Sequence, residues 1–244
     1  MKFGIAPLLL LLALTLSGCA AESMLAVGAG VLQATTLDEN SVRQTSALAA
    51  REMDSKNQVA PVGNPYSRRL ENLTRNLTNH DGLNLNFKAY LTKDINAFAM
   101  ADGTVRVYSG LMDVMPDDQL LAVIAHEVGH VKLKHSYNQM RAQILTDSAF
   151  QGLVSAGGVI GNLSSSLLGK LGQTAINAHF SQQDEHEADA YAVKALKRWG
   201  HDPYAMRRSI ETLEGIQSAR GGFLSSHPSN KARLDNIDQE IKRL

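Results

Sequence analysis

The residues with the clearest chemical meaning stand near the middle of the 244-residue chain, in the run His126-Glu127-Val128-Gly129-His130. On an α-helix, side chains four positions apart lie on one face, so both imidazoles of this run can face a single ion. Imidazole nitrogens suit Zn²⁺, which is held by four ligands at the corners of a tetrahedron. Glu127 projects beside that ion, in position to act as a general base towards water. The run therefore indicates metal-assisted hydrolysis.

This pattern is a signature of metallopeptidases, although only three of its five positions are fixed. Its surroundings strengthen the interpretation. Residues after Pro116 predict a helix that begins at Asp117 or Asp118, because acidic side chains favour the first turn of a helix. The positions around the two histidines are uncharged, as a buried site requires, namely Ile124, Ala125, Val128 and Val131.

Two histidines leave a tetrahedral site incomplete, so a third protein ligand is needed. A histidine six residues beyond His130 completes one known arrangement, but that position holds Ser136. His135 is one position out of that register and is expected to cap the end of the helix instead. The remaining arrangement takes a glutamate from a later helix, and the acidic run of residues 181–189 supplies candidates.

Within that acidic run, Glu185 and Asp189 are four residues apart and share a helix face. We expect Glu185 to bind the metal and Asp189 to accept a hydrogen bond from the far nitrogen of a ligand histidine, which fixes the tautomer of that ring. His186 and Glu187 compete for the ligand role, but they point away from this line by roughly 100–200° of helix rotation. The alternative for the whole run is a solvated, charged helix face.

A small sheet is expected before the metal-binding helix. Leu83, Leu85 and Phe87 alternate with polar residues, and residues 97–100 form a short apolar run. A tight turn at residues 101–103 follows, and after it apolar and polar residues alternate again. The pattern predicts a small antiparallel sheet.

The first residues predict export. Lys2 precedes a leucine-rich apolar stretch, residues 3–16, which is shorter than the roughly 20 residues needed to span a bilayer. The tetrapeptide Leu-Ser-Gly-Cys that ends at Cys19 resembles the lipobox of bacterial lipoproteins, which implies cleavage before Cys19 and lipidation of its side chain and amino group. An ordinary signal peptide with an incidental cysteine is the alternative. Several acyl chains give stable anchoring, and with Cys19 as the only cysteine no disulfide forms.

Three segments are predicted along the chain. Residues 1–18 are the lipoprotein signal peptide, residues 19–60 are a lipid-anchored tether and helix, and residues 61–244 are the zinc metallopeptidase domain. The prolines and glycine of residues 61–65 mark the boundary. The residues after Cys19 include no aspartate of the kind that retains lipoproteins in the inner membrane. If the cell is Gram-negative, this implies an outer-membrane lipoprotein that faces the periplasm.

Three further segments are interpreted from local patterns. Residues 38–59 have helical spacing but no clear apolar stripe, and a helix is predicted from Tyr66 to Leu77. The nearly uncharged, glycine-rich residues 148–183 are interpreted either as packed helices with small residues at their contacts or as a mobile flap or hydrophobic binding surface.

The order of these runs resembles one family. Besides the two metal-binding runs, the chain carries Asn96-Ala97-Phe98-Ala99, Gly103-Thr104-Val105, Ser109-Gly110-Leu111 and Ser226-His227-Pro228-Ser229. Residues 65–240 thereby resemble the HtpX/BepA/LoiP family of gluzincin zinc metallopeptidases, relatives of the CAAX prenyl proteases. Within that family, the lipoprotein signal and the lack of repeats make the chain resemble the LoiP-like outer-membrane branch. Gln182 departs from the arginine that the family commonly carries, which puts an interaction near the third ligand in doubt.

The resemblance implies an α+β, mainly helical, zincin-type fold that binds one Zn²⁺ per chain. It implies that the strand of Asn96, Ala97, Phe98 and Ala99 binds extended substrates by edge pairing. It also implies that His227 lies near the zinc, where it either steadies the oxyanion or fills the open metal position at rest. Arg233, one turn further on, is expected to orient His227 or to bind carboxylates.

The function that follows is a zinc endopeptidase that cleaves unfolded or misassembled outer-membrane proteins. A lipoprotein chaperone or assembly factor with secondary protease activity is the alternative, and a structural lipoprotein with a fortuitous motif is a third. The 24 basic and 24 acidic residues cancel, which gives no electrostatic case for nucleic acid. The expected partners are protein substrates, the membrane through the lipid anchor, and an envelope protein.

Overall fold

The computed structural model describes residues 37–147, 150, 163–216 and 222–244. The predicted signal peptide, Cys19 and residues 20–36 of the tether lie outside these residues. So do residues 148–149 and 151–162 of the glycine-rich segment.

Helices dominate the described part of the chain, as predicted. The helices are α1 (Glu39–Lys56), α2 (Pro65–Thr74), α3 (Ser109–Val114), α4 (Asp117–Lys132), α5 (His135–Thr146), α6 (Ser165–Ile176), α7 (Gln182–Arg198), α8 (Tyr204–Ile216), α9 (Phe223–Ser226) and α10 (Lys231–Lys242). The strands are β1 (Asn79–His80), β2 (Leu83–Asn84), β3 (Asn86–Tyr90), β4 (Ala97–Ala99) and β5 (Thr104–Tyr108). The fold class is therefore α+β and mainly helical.

The main sheet has three strands in the order β3-β5-β4. β4 and β5 form the predicted antiparallel hairpin around Gly103, whose φ is 94°. β3, however, runs parallel to β5. The sheet is thus mixed rather than antiparallel throughout, because residues 91–96 carry the chain to the far edge and β5 returns between β3 and β4.

Two predicted elements have different bounds in the structure. α2 begins at Pro65, where the Asn64 side chain caps it, but it ends at Thr74 rather than at Leu77. The alternating run that starts at Leu83 forms two strands instead of one. β2 pairs with β1 across a tight turn at Asp81, and β3 then starts a separate pairing with β5.

α4 runs through the centre of the molecule, and every residue from Leu120 to Val131 is buried. Val123, Ile124 and Val128 share a hydrophobic core with the sheet. On its other sides α4 packs against α7 and α8. The predicted metal-binding motif therefore lies on a helix held by both a sheet and further helices.

Gly129 is the point at which α4 and α7 approach closely. A Cβ atom at this position would lie 3.1 Å from the carbonyl oxygen of Ala188 and 3.2 Å from its Cα atom. The absence of a side chain at Gly129 lets the backbone of α7 come close to the two histidines. The position of α7, and hence of Glu185 and Asp189, depends on this glycine.

α1 packs against α5 and α6, and its buried face includes Val42, Thr45, Ser46, Ala49 and Met53. This face was not evident in the sequence because small and polar residues make up much of it. α1 precedes the predicted boundary at residue 61, yet it packs on the elements that follow.

An ion pair also joins α1 to the sheet. The carboxylate of Asp54 accepts from Arg106 Nε at 2.8 Å and from Arg106 Nη2 at 3.0 Å. Arg106 lies on the central strand β5 and is 2% exposed. Lys88 and Tyr90 of β3 also donate to Asp54, each at 2.7 Å. The charge on Arg106 is therefore paired within the core.

α6 packs against α1, α5 and β4. A Cβ atom at Gly172 would lie 2.3 Å from the sulfur of Met53, so the glycine permits this close packing. In the described part of residues 148–183, α6 thus packs through a small residue, and the alternative of a mobile flap or hydrophobic binding surface stays a prediction.

Among the described residues, no helix combines the length and the apolar character required to cross a bilayer.

We predict that Gly129→Ala destabilises the protein. Alanine favours a helix over glycine by about 1 kcal/mol, but overpacking against the backbone of α7 costs about 1–3 kcal/mol. The net loss in free energy of unfolding should be measurable by urea denaturation of metal-free protein.

The matched control is Gly215→Ala in α8, where a Cβ atom meets nothing within 4 Å. This variant should gain about 0.5–1 kcal/mol. An equal gain in both variants would show that Gly129 does not set the distance between α4 and α7.

Candidate metal centre

The two histidines of α4 face the same space. His126 and His130 are both 0% exposed, and their Nε2 atoms lie 3.0 Å apart. One helical turn separates the two residues, so their rings converge as the spacing predicts.

α7 brings the third predicted side chain to this space. Glu185 Oε1 lies 3.4 Å from His130 Nε2, and Glu185 Oε2 lies 3.6 Å from His126 Nε2. A capping box fixes the first turn of α7: Ser181 Oγ accepts from the Asp184 N–H, and Asp184 Oδ2 accepts from the Ser181 N–H. Glu185 is therefore presented by an ordered helix end.

His227 follows the short helix α9 and lies beside the three side chains described above. Its Nδ1 atom lies 2.9 Å from Glu185 Oε1 and 3.2 Å from His126 Nε2. The ring of Phe223 stacks on that of His227, with centroids 4.4 Å apart. Phe180 stacks on His130 with centroids 3.8 Å apart. Aromatic packing thus holds the rings of both histidines.

These four residues fit a metal ion. The ligand atoms of His126, His130, Glu185 and His227 all lie within 4.8 Å of one another. A tetrahedral zinc ion with bonds of about 2.0–2.1 Å separates its ligand atoms by roughly 3.3 Å. The separations given above run from 2.9 to 3.6 Å, close to that size. Imidazole nitrogen and carboxylate oxygen are also the donors that zinc takes.

The protonation states of His126, His130 and Glu185 suit ligation, whereas His227 is biased towards its charged form. Burial lowers the pKa of His126 and holds the pKa of His130 well below its ordinary value, so both rings favour the neutral form with a free lone pair. Burial opposes the ionisation of Glu185, but His227 and His130 outweigh it and lower the pKa of this carboxyl. For His227, burial opposes the charged form, but the carboxylates of Glu127 and Glu185 raise its pKa.

Asp189 and Arg233 support this group from behind. Asp189 Oδ1 lies 2.9 Å from His126 Nδ1, the nitrogen that faces away from the candidate ligand space. Arg233 donates to both oxygens of Asp189 at 2.7 and 2.8 Å, and Arg233 Nη1 lies 2.7 Å from Glu185 Oε2. Burial opposes charge on Asp189, but Arg233 lowers the pKa of this carboxyl. Asp189 therefore lies where the sequence predicts it, against the far nitrogen of a candidate ligand histidine. Arg233 binds carboxylates, one of its two expected roles.

Glu127 lies beside the candidate ligand atoms rather than among them. Its Oε1 atom is buried without a hydrogen-bond partner in the described part of the chain, 3.3 Å from His227 Nε2. Burial raises the pKa of Glu127 to about 7, although the positive charge of His227 opposes the increase. The backbone of Ala99 also hydrogen-bonds this carboxylate. A carboxylate with a raised pKa next to a metal-binding group is placed to exchange protons near neutral pH.

β4, the predicted substrate strand, is an edge of the sheet and packs against α4. Asn96 and Met100 pair with β5 through the bonds Tyr108 N–H to Asn96 O and Met100 N–H to Thr104 O. Because such pairs alternate along antiparallel strands, the backbone groups of Ala97 and Ala99 point away from β5. Asn96 itself precedes the strand, and its Oδ1 accepts from the Ala97 N–H at 2.9 Å.

The sequence interpretation missed two side chains near this group. Phe180 was not singled out, and His135 was expected only as a helix cap. His135 Nδ1 lies 3.1 Å from His130 Nδ1, and His135 Nε2 lies 3.3 Å from Glu187 Oε2. Glu187, a rejected candidate ligand, points towards His135. No periodic pattern in the sequence marks Phe180 or His135. Phe180 lies in the loop before α7 and His135 in α5, and both reach His130 only through the tertiary fold.

The fold and this group of residues define a metallopeptidase of the type with two histidines on one helix and a glutamate on a later one. The model of Peptidase family M48 matches residues 67–241. The chain belongs to peptidase family M48.

Three relatives illustrate the similarity. Metalloprotease LoiP of Escherichia coli (strain K12) is 40% identical over 230 residues, 92% of this chain and 91% of its own length. Metalloprotease YcaL of the same strain is 37% identical over 234 residues, 93% and 92% of the two chains. The beta-barrel assembly-enhancing protease of that strain is 32% identical over 152 residues, 58% of this chain and 31% of its own length. The protein is thus a metalloprotease.

Proposed function

We propose that the protein is a zinc-dependent endopeptidase in which His126, His130 and Glu185 hold one zinc ion. The observation that carries this proposal is the buried group of ligand atoms, all within 4.8 Å of one another, with the Glu127 carboxylate beside it. Two imidazoles and a carboxylate at tetrahedral separations are the ligand set of zinc peptidases that keep one position open.

When bound, zinc supplies Lewis-acid polarisation of water and of the scissile carbonyl group. Asp189 accepts a hydrogen bond from His126 Nδ1, which keeps the Nε2 lone pair directed at the metal. Glu127 accepts a proton at Oε1 from the attacking water and passes it to the leaving amine. The buried surroundings strengthen each of these electrostatic interactions.

His227 is proposed to fill the fourth position in the resting protein. Its Nδ1 atom lies 2.9 Å from Glu185 Oε1, so with zinc bound it would compete with water for the remaining ligand position. The stacked ring of Phe223 holds it there. With zinc bound, cleavage would require His227 to move away from the ion, which would limit hydrolysis by a protease with little sequence selectivity.

Substrates are proposed to be extended segments of unfolded or misassembled proteins. The outward carbonyl groups of Ala97 and Ala99 offer hydrogen bonds to a peptide strand of any sequence, while the Ala97 N–H already donates to Asn96 and the Ala99 backbone to Glu127. α6 packs against β4, and the Asn96 side chain already accepts from the Ala97 N–H. An incoming strand must therefore displace these contacts, which favours flexible chains over folded ones.

The proposed substrates lie in the bacterial cell envelope. The name of the beta-barrel assembly-enhancing protease supports outer-membrane β-barrel proteins as one class. The lipobox-like residues up to Cys19 support an outer-membrane lipoprotein that faces the periplasm, and this setting leaves room for an envelope protein partner.

We predict that Glu127→Gln loses hydrolysis but keeps zinc. Removing a general base costs about 10²–10⁴-fold in rate, while the three ligands stay in place. Hydrolysis of unfolded casein should fall by this factor, and mass spectrometry should still find one zinc ion per chain. Glu71→Gln on the exposed face of α2 is the matched control and should remain active. Near-native turnover in Glu127→Gln would assign the base to another residue.

We predict that His227→Ala raises the basal cleavage of casein, because water then reaches the fourth metal position. The exposed His201→Ala serves as the control. A fall in turnover of about 10²–10³ would instead assign His227 to the oxyanion. Unchanged turnover together with unchanged zinc affinity would leave His227 with a structural role only.

We predict that Cys19→Ala abolishes lipid attachment, because the sequence contains no second cysteine. Labelling cells with radioactive palmitate should mark the native chain alone. Equal labelling of the variant would remove the basis for the proposed membrane anchor without affecting the proposed peptidase site.

A further inference from the structure

Another buried histidine lies behind the candidate ligand His130. His135 is the first residue of α5 and is 6% exposed. The residue before it, Lys134, has a φ of 64°, which turns the chain sharply between α4 and α5. This turn brings His135 Nδ1 to 3.1 Å from His130 Nδ1, the nitrogen that faces away from the ligand group.

The far side of His135 meets carboxylates of α7. His135 Nε2 lies 3.3 Å from Glu187 Oε2 and 3.4 Å from Asp184 Oδ1. Gln183 donates from Nε2 to the other oxygen of Glu187 at 2.8 Å, which orients that carboxylate. The contacts run from the first turns of α7 through His135 to the candidate ligand His130.

When His130 binds a metal, hydrogen-bond chemistry allows one arrangement of protons along the contacts from His130 through His135 to Glu187. Nε2 of His130 then supplies its lone pair to the metal, so the proton of the neutral ring is on Nδ1. That N–H donates to His135 Nδ1, which must be unprotonated to accept it. The proton of His135 is consequently on Nε2, where it donates to Glu187.

We propose that His135, oriented by Glu187, is a positioning residue that fixes the tautomer and ring orientation of His130 for metal binding. This inference rests on the proposed zinc function and deepens it. It gives the second histidine of the motif the support that Asp189 gives the first. For His126 the carboxylate is in direct contact at 2.9 Å, whereas for His130 it acts through one intervening imidazole.

Three substitutions separate the steps of this line. His135→Ala leaves the buried Nδ1–H of His130 without its acceptor and should lower zinc affinity about 10–100-fold. His135→Asn places an amide oxygen near the position of Nδ1 and should recover most of that loss. Glu187→Gln should have a smaller effect than His135→Ala, because Asp184 remains at 3.4 Å from His135 Nε2.

The experiment measures zinc binding on full-length protein by competition with a chromophoric chelator, with the visible spectrum of the cobalt-substituted form as a second readout. His201→Ala, an exposed histidine, controls for adventitious metal binding. We expect weaker zinc binding and an altered cobalt spectrum in His135→Ala, with recovery in His135→Asn. Urea unfolding of the metal-free forms reports on structural damage.

Unchanged zinc affinity and cobalt spectrum in His135→Ala would overturn the positioning role, whatever the loss in metal-free stability. Equal weakening in His135→Ala and His135→Asn would also overturn it, since the acceptor at Nδ1 would then be irrelevant. In both cases the wild-type chain still binds zinc and the proposed function stands. Absence of zinc from the wild-type protein would instead overturn the proposed function itself.

Discussion

The buried guanidinium group of Arg233 balances the charges on which the site depends. It is 0% exposed and contacts both oxygens of Asp189, one oxygen of Glu185 and the carbonyl oxygen of His227. Uncompensated buried carboxylates cost several kcal/mol each, so two of them beside buried histidines need such a partner. Through these bonds Arg233 joins α7, α10 and the segment after α9, and it holds the backbone of His227 beside the candidate ligands.

The sequence predicts those parts of the site that depend on local helical spacing. His126, His130 and Glu185 follow from that periodicity and from the chemistry of zinc, and the structure brings them together. The importance of Arg233 and the placement of His135 could not be predicted as well as the positions of His126, His130 and Glu185. Both depend on contacts between helices that are distant in sequence, as does the parallel pairing of β3 with β5. Alternation of apolar residues predicts a strand but does not identify its neighbour.

The same close packing that assembles the ligand group also shuts it away from solvent. His126 and His130 are fully buried, Phe180 and Phe223 cover the imidazole rings, and α6 lies along the edge strand. Burial lowers the pKa of both histidines and raises that of Glu127, so it prepares the chemistry as well as restricting access. With a metal bound as proposed, hydrolysis would require an opening step that exposes the ion to water and substrate.

The attachment of α1 to the sheet has a mechanical consequence. Asp54 joins this helix to Arg106 on β5, the strand that pairs with β4. With a lipid on Cys19, as proposed, the chain between the anchor and Leu37 spans at most about 65 Å when fully extended. The candidate metal centre would then lie no further from the bilayer than that length plus its own distance from Leu37. Chain length would thereby set a radius of action, and proteins that stall close to the membrane surface would come within reach while those further out would not.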